Sequence, residues 1–162
     1  ISKQQSYQES KTYESGQSAK IAKLKVNGKY YKIGMTICYD LRFPHLFRDL
    51  ALNGADLITV PSVFMHITGK DHWHSLLKAR AIETGCYIVA PAQYGQYFNK
   101  RKSYGHSLIV SPWGKILKDA KTEKNIIIAA IDKHQIEIAR SKIPSLFINK
   151  KYKIEKRNFG SI

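Results

Sequence analysis

The sequence predicts an α/β fold in which helices pack against a mixed sheet. Two short and nearly continuous apolar runs, 55–61 and 86–92, have the composition of strands buried on both faces. Two segments with helical periodicity, 44–53 and 72–84, alternate with these runs along the chain. Such alternation of strands with helices is typical of α/β layering.

The first predicted element is a β-hairpin. Residues 19–26 and 29–37 have strand-like composition, and the dipeptide Asn27-Gly28 joins them. Asn-Gly is typical of a two-residue hairpin turn, because both positions of that turn need a positive φ. We therefore expect these two strands to pair with each other.

Two amphipathic helices are predicted after this hairpin. The helix over 44–53 should begin at Pro44, which suits a first helical turn, and should end at Gly54. The helix over 72–84 should have Asp71 as its N-cap. The apolar positions on the two buried faces are Leu46, Phe47, Leu50 and Ala51 in the first helix, and Trp73, Leu76, Leu77 and Ala81 in the second.

The C-terminal part of the chain predicts a second hairpin, a strand and a final helix. The hairpin pairs 106–110 with 115–117, and the β-branched run 125–131 is expected to form the strand. The final helix is expected over 133–141. Residues 142–162 are predicted to be extended and basic.

Composition indicates one folded domain without membrane or nucleic-acid contacts. Of the 162 residues, 43% are hydrophobic, which is more than a disordered chain contains. Two cysteines are too few for a disulfide framework, and residues 1–20 lack the apolar core of a signal peptide, so we expect a cytoplasmic protein. No apolar run is long enough for a membrane helix. The net charge is +15, but lysines are scattered and outnumber arginines, so we expect no nucleic-acid binding.

The most informative position is Cys38, where an apolar strand-like run ends and a polar turn leads to Pro44. A thiol at such a strand-to-helix junction stands out of the sheet. The first N–H groups of the following helix favour a thiolate and can hold a developing oxyanion. This position favours a nucleophile, and the alternative is a buried structural cysteine.

Four charged residues near this junction have structural as well as functional explanations. Asp40 and Arg42 flank the turn, and we expect them to fix it through hydrogen bonds. Arg80 and Glu83 lie one helical turn apart, which favours an ion pair. This pair could also support the site from behind.

The second predicted helix carries two histidines and a tryptophan near its start. His72 and His74 are two residues apart and therefore lie on different helix faces, so we expect no metal site there. Trp73 is either a core residue or part of a substrate wall. Cys86, at the start of a buried strand, is expected to be structural.

The segment from Ile37 to Pro44, Ile-Cys-Tyr-Asp-Leu-Arg-Phe-Pro, resembles the nucleophile motif of the nitrilase, or carbon–nitrogen hydrolase, superfamily. Other segments resemble the same family in the same order, so the resemblance covers about residues 7–152. It is strongest to the branch of deaminated-glutathione amidases and omega-amidases. The further segments are 8–12, 54–57, 68–73, 79–84, 104–108 and 111–114.

This resemblance implies a partial nitrilase-like α-β-β-α sandwich, with a mixed sheet and helices on one face. It implies hydrolysis of a small ω-amide through a thioester on Cys38, without a metal or another cofactor. By the same resemblance, the backbone N–H of Tyr39 is an oxyanion donor and Glu9 is an assisting carboxylate. The substrate-binding residues expected from it are Phe64, Thr68, His72 and Trp73.

The resemblance is incomplete, because the family's catalytic glutamate and lysine lie upstream of the segment that contains Glu9. His45 also stands where the motif usually has glutamate. We therefore expect 1–152 to be the C-terminal part of a hydrolase domain that lacks its N-terminal strands and helices, and 153–162 to be a basic tail. The expected partners are a small-molecule amide and either further copies of the chain or an upstream half of the enzyme. The alternative is a catalytically silent subunit or remnant.

Overall fold

The computed structural model of the protein describes residues 11–97 and 101–156. This part of the chain contains three α-helices and eight β-strands, together with 3-10 helices at Cys38–Arg42 and Pro144–Phe147. The α-helices are α1 (Pro44–Leu52), α2 (His66–Thr84) and α3 (Lys133–Lys142). The strands are β1 (Lys20–Val26), β2 (Lys29–Met35), β3 (Leu57–Thr59), β4 (Tyr87–Ala90), β5 (Tyr94–Gln96), β6 (Lys102–Tyr104), β7 (Leu108–Val110) and β8 (Ile116–Asp119).

A mixed six-stranded sheet is the centre of the fold, with strand order β1-β2-β3-β4-β7-β8. β2, β3 and β4 are parallel, whereas β1, β7 and β8 are antiparallel to their neighbours. β5 and β6 form a separate two-stranded hairpin. The predicted α/β class with a mixed sheet is confirmed.

The hydrophobic core lies between this sheet and helices α1 and α2. Phe47 from α1, together with Trp73 and Leu77 from α2, is fully buried. Ile58 of β3 and Ile88 of β4 are fully buried in the same cluster. Each large apolar side chain that is buried in this way stabilises the fold by about 1.5–3 kcal/mol.

The first hairpin, the first helix and the two buried strands form much as predicted. β1 and β2 pair from end to end, and Asn27 (φ 48°) and Gly28 (φ 78°) form the turn between them. Helix α1 begins at Pro44, as predicted, and ends one residue before the predicted end. The two buried apolar runs become the neighbouring parallel strands β3 and β4.

Helix α2 begins at His66, six residues before the predicted start, so the prediction that Asp71 is its N-cap was wrong. The N-cap is Met65. The physical reason is tertiary packing around Gly69. A Cβ atom at this position would lie 2.4 Å from the Tyr104 ring, so the glycine lets the first turns of α2 pack against β6.

The C-terminal predictions needed two corrections. Residues 125–131 form no strand with any segment in the described part of the chain, and Ile126 and Ile128 are 85% and 77% exposed. β-branched composition favours a strand, but a strand also needs a pairing partner. Residues 142–162 were predicted to be extended, but Pro144–Phe147 forms a 3-10 helix that buries Leu146.

Candidate active site

Cys38 lies in a sharp turn just beyond the carboxyl end of β2. It is the first residue of the 3-10 helix Cys38–Arg42, and its φ is +45°. A left-handed conformation is rare for a residue with a side chain and costs of the order of 1–3 kcal/mol. The surroundings hold it in place, since the Cys38 N–H donates a 2.9 Å hydrogen bond to the carbonyl oxygen of Pro61.

Asp40 closes the same turn from the other side. Its carboxylate accepts a hydrogen bond from the Ile37 N–H at 2.9 Å, and its own N–H donates to the Ile37 carbonyl at 2.9 Å. The N–H of Tyr39 lies in the first turn of the 3-10 helix and has no acceptor among the described residues. This donor follows directly on the thiol-bearing residue.

Arg80 connects helix α2 to the turn that carries Cys38. Its Nε and Nη2 atoms donate to the Leu41 carbonyl at 3.0 and 2.9 Å, and Nη1 donates to Glu83 Oε1 at 2.9 Å. Arg80 is 6% exposed. The sequence predicted the pair with Glu83 and left open whether it also supports the site, and the structure adds two buried hydrogen bonds from Arg80 to the turn itself.

Arg42 points towards α2. Its guanidinium lies 3.4 Å from His72 Nδ1 and stacks over the rings of Phe64 and Tyr39 at 5.2 and 5.6 Å. Arg42 therefore links the turn that carries Cys38 to His72 of α2.

An open cleft of about 540 Å³ lies beside Cys38, where the carboxyl ends of the parallel strands meet. Crevices at this end of parallel strands are where α/β proteins usually bind ligands. Ser107 fixes the position of Ala92 on one side of the cleft, because its hydroxyl accepts a hydrogen bond from the Ala92 N–H at 2.9 Å and donates one to the Ala92 carbonyl at 3.2 Å. The cleft is lined by Ile37, Cys38, Pro61, Ser62, Val63, Pro91, Ala92, Gln93 and Ser107.

The substrate-binding residues predicted from the resemblance lie outside this lining. Phe64 and Trp73 are core residues, 5% and 0% exposed, with ring centroids 4.9 Å apart, so they support the site from behind. His72 is exposed beside Arg42, and the Thr68 hydroxyl donates to the Met65 carbonyl at 3.3 Å. Glu9 lies outside the described residues.

Most of the lining residues that sequence reasoning missed lie at the ends of the two buried apolar runs or directly after them. Ser62 and Val63 follow the run that becomes β3, whereas Ala92 ends the run that becomes β4 and Gln93 follows it. Residues just after two neighbouring parallel strands come together at one edge of the sheet, so this position in the sequence was a usable signal. Ser107 carries no such signal, because it precedes the antiparallel strand β7.

The second cysteine has a different environment from Cys38. Cys86 is fully buried, and its Sγ donates to the Ala55 carbonyl at 3.1 Å. Burial raises the pKa of the Cys86 thiol, although the nearby Arg140 partly opposes this. Cys86 is therefore held as a neutral thiol within the core, whereas Cys38 lies at the cleft.

Among the described residues, His74, His106 and Asp119 form a group that could hold a metal ion. None of the three lines the cleft beside Cys38. None of the helices in residues 11–97 and 101–156 is both long enough and apolar enough to cross a membrane.

Comparisons with known proteins all lead to carbon–nitrogen hydrolases. Residues 1–141 match the profile of the carbon–nitrogen hydrolase family. A deaminated glutathione amidase of Synechocystis is 44% identical over 140 residues, which is 86% of this chain and 51% of the relative. The chain thus spans about half the length of this relative.

Solved structures show the same partial coverage. Saccharomyces cerevisiae Nit3, a member of branch 10 of the nitrilase superfamily, superposes with a TM-score of 0.75 at 36% identity, over 84% of this chain and 49% of that one. A mutant amidase from Nesterenkonia sp. AN1 superposes with a TM-score of 0.58 at 27% identity, over 67% of this chain and 39% of that one. The amidase carries a covalent acetamide adduct at its active-site cysteine.

Proposed function

The chain belongs to the carbon–nitrogen hydrolase family, and on this premise we propose that it is the nucleophile-bearing part of an amidase. The reaction is hydrolysis of a small ω-amide through a thioester on Cys38. The single observation that carries the proposal is the position of Cys38, in a strained turn at the edge of a cleft at the carboxyl ends of parallel strands. The covalent adduct at the active-site cysteine of the Nesterenkonia amidase supports the same role for Cys38.

In the proposed reaction, the Cys38 sulfur attacks the amide carbon and forms a tetrahedral intermediate. The Tyr39 N–H, which has no acceptor among the described residues, donates to the oxyanion. Removing one such donor from an enzyme typically lowers kcat by about 10²–10³-fold. Ammonia then leaves, and water hydrolyses the thioester to the carboxylic acid.

Proton transfer and charge stabilisation come from residues outside 1–162 in this proposal. The family's catalytic glutamate and lysine lie upstream of the segment with Glu9, and this chain covers about half of its amidase relative. The cleft beside Cys38 is open, which is consistent with a site completed by further residues. Glu9 acts as the assisting carboxylate.

The amidase relatives support a short ω-amide as the substrate class. The Synechocystis protein is named a deaminated glutathione amidase, so short ω-amides of this kind are the first compounds to test. A small-molecule amide is also compatible with a cleft of about 540 Å³. The second candidate function is a catalytically silent subunit, which is favoured by His45, because the nucleophile motif usually has glutamate at this position.

The test is ammonia release from α-ketoglutaramate and from deaminated glutathione. The purified chain is assayed alone and then mixed with the upstream half of the Synechocystis amidase, with the Cys38→Ala chain in the same mixture as control. Turnover that needs both the mixture and Cys38 supports the proposal. Silence in the mixture, with folding of both parts verified by circular dichroism, supports the silent subunit instead.

A further inference from the structure

We propose that His74, His106 and Asp119 bind a divalent transition-metal ion of the zinc type. The three residues come from separate elements: His74 from α2, His106 from the turn before β7, and Asp119 from the end of β8. One ligand atom from each lies within 4.8 Å of the others. His74 and His106 are 32 positions apart in the sequence, so their meeting is a property of the fold.

The distances from the two histidines to Asp119 are close to the spacing of ligands around one small ion. His106 Nδ1 lies 3.0 Å from Asp119 Oδ1 and 3.1 Å from Oδ2, and His74 Nε2 lies 3.4 Å from Oδ2. Zinc bonds of about 2.0–2.2 Å in tetrahedral geometry place neighbouring ligand atoms roughly 3.3 Å apart. An ion can therefore replace the protons through which these groups now interact.

Tyr104 supplies the outer contacts that a metal-binding histidine usually has. Its hydroxyl lies 3.4 Å from His74 Nδ1, so it can accept a hydrogen bond from that nitrogen and direct the lone pair of Nε2 towards Asp119. The Tyr104 ring also stacks on His106, with centroids 4.4 Å apart and an angle of 24° between the planes. Such partners fix the tautomer and the orientation of metal ligands.

The backbone of His106 is held in an unusual conformation beside Asp119. His106 has φ +57°, directly after Gly105 at +75°. Its N–H donates to the Lys121 carbonyl at 2.6 Å, and its carbonyl accepts from Trp73 Nε1 at 2.8 Å. The protein thus keeps a strained histidine in place with two hydrogen bonds to its backbone.

Donor type and accessibility favour zinc over magnesium or calcium. Two imidazoles and one carboxylate are the ligands that zinc and its neighbours prefer, whereas the harder ions prefer oxygen ligands alone. The side chains of His74, His106 and Asp119 are 28%, 20% and 23% exposed. An ion can reach them from solvent and keep a water molecule as its fourth ligand.

The test is a zinc titration against a chromophoric chelator, in a Cys38→Ala background so that the thiolate does not contribute. We expect one Zn²⁺ per chain, with binding weakened at least tenfold by His106→Gln and by Asp119→Asn. Tyr104→Phe keeps the ring but removes the hydroxyl, and should weaken binding by about 10–100-fold. The matched control is His134→Gln, which removes another histidine beside a carboxylate, since His134 lies 3.6 Å from Glu137 on the exposed side of α3.

Folding of each variant is verified by circular dichroism, and Co²⁺ absorption gives a second measure of binding. The proposal predicts a tetrahedral Co²⁺ spectrum that is lost in His106→Gln and retained in His134→Gln. It is overturned if the parent chain binds no Zn²⁺, or if folded Asp119→Asn and Tyr104→Phe bind as tightly as the parent. If Asp119→Asn does not fold, the Zn²⁺ affinities of Tyr104→Phe and His134→Gln are compared instead. The proposal is then overturned if Tyr104→Phe binds Zn²⁺ as tightly as His134→Gln.

Discussion

Replacing Arg80 by lysine tests whether α2 holds the nucleophile turn in its active shape. The guanidinium makes two hydrogen bonds to the Leu41 carbonyl, and lysine can replace at most one of them. A hydrogen bond that involves a charged group contributes about 1.5–3 kcal/mol. The ion pair with Glu83 adds at most about 1 kcal/mol, because the Glu83 side chain is 38% exposed.

We therefore expect Arg80→Lys to lower the free energy of unfolding by about 2–3 kcal/mol. Loss of the Leu41 contact should also let the turn relax from the positive φ of Cys38. Since that conformation costs of the order of 1–3 kcal/mol, relaxation should change the rate of Cys38 alkylation at least threefold. Urea unfolding measures the first effect and iodoacetamide labelling of the folded protein measures the second.

Arg48 offers a matched control within the same chain. Its guanidinium also donates to backbone carbonyls, but these belong to Leu146 and Ile148, after α3, and not to the turn that carries Cys38. Arg48→Lys should lower stability without changing the alkylation rate of Cys38. The proposed role of Arg80 is refuted if the free energy of unfolding of Arg80→Lys lies within about 0.5 kcal/mol of the parent value. It is also refuted if Arg80→Lys and Arg48→Lys change the rate of Cys38 labelling equally.

Three further predictions follow from burial and packing. Iodoacetamide should label Cys38 well before Cys86 in the folded protein, and mass spectrometry that finds the reverse order contradicts the assigned environments. Because burial raises the pKa of Cys86 above its ordinary 9.0, only the unfolded chain loses this proton just above pH 9. Stability should therefore decline between pH 9 and the folded pKa, by up to about 1.4 kcal/mol per pH unit, and urea midpoints should show a weaker decline in Cys86→Ala. Gly69→Ala should destabilise the fold by about 1–3 kcal/mol, because its Cβ would lie 2.4 Å from the Tyr104 ring, and an unchanged melting temperature would contradict this packing.

Local patterns predicted those parts of the fold that depend on neighbouring residues. The Asn27-Gly28 turn and the start of α1 at Pro44 each follow from the conformational preferences of the residues involved. The early start of α2 could not be predicted in this way. It depends on the contact between Gly69 and Tyr104, which are distant in sequence.

Strand pairing and site assembly set the other limits. The run 125–131 has strand composition, but pairing is a property of two segments, and no described strand lies beside it. At the site, the motif identified Cys38, whereas the contact between Arg80 and Leu41 required the fold. The same holds for the meeting of His74 with Asp119, because sequence spacing related His74 only to its helical neighbours.

The central claim, that Cys38 forms the acyl intermediate of an amidase, is tested most directly by peptide mass spectrometry of quenched reactions. The chain is mixed with the upstream half of the Synechocystis amidase and a short ω-amide, quenched in acid and digested. We predict an acyl adduct on the Cys38 peptide, absent from the Cys86 peptide and absent when the upstream half is omitted. Ammonia release without an adduct at Cys38, or undiminished turnover by the Cys38→Ala chain, would contradict the claim.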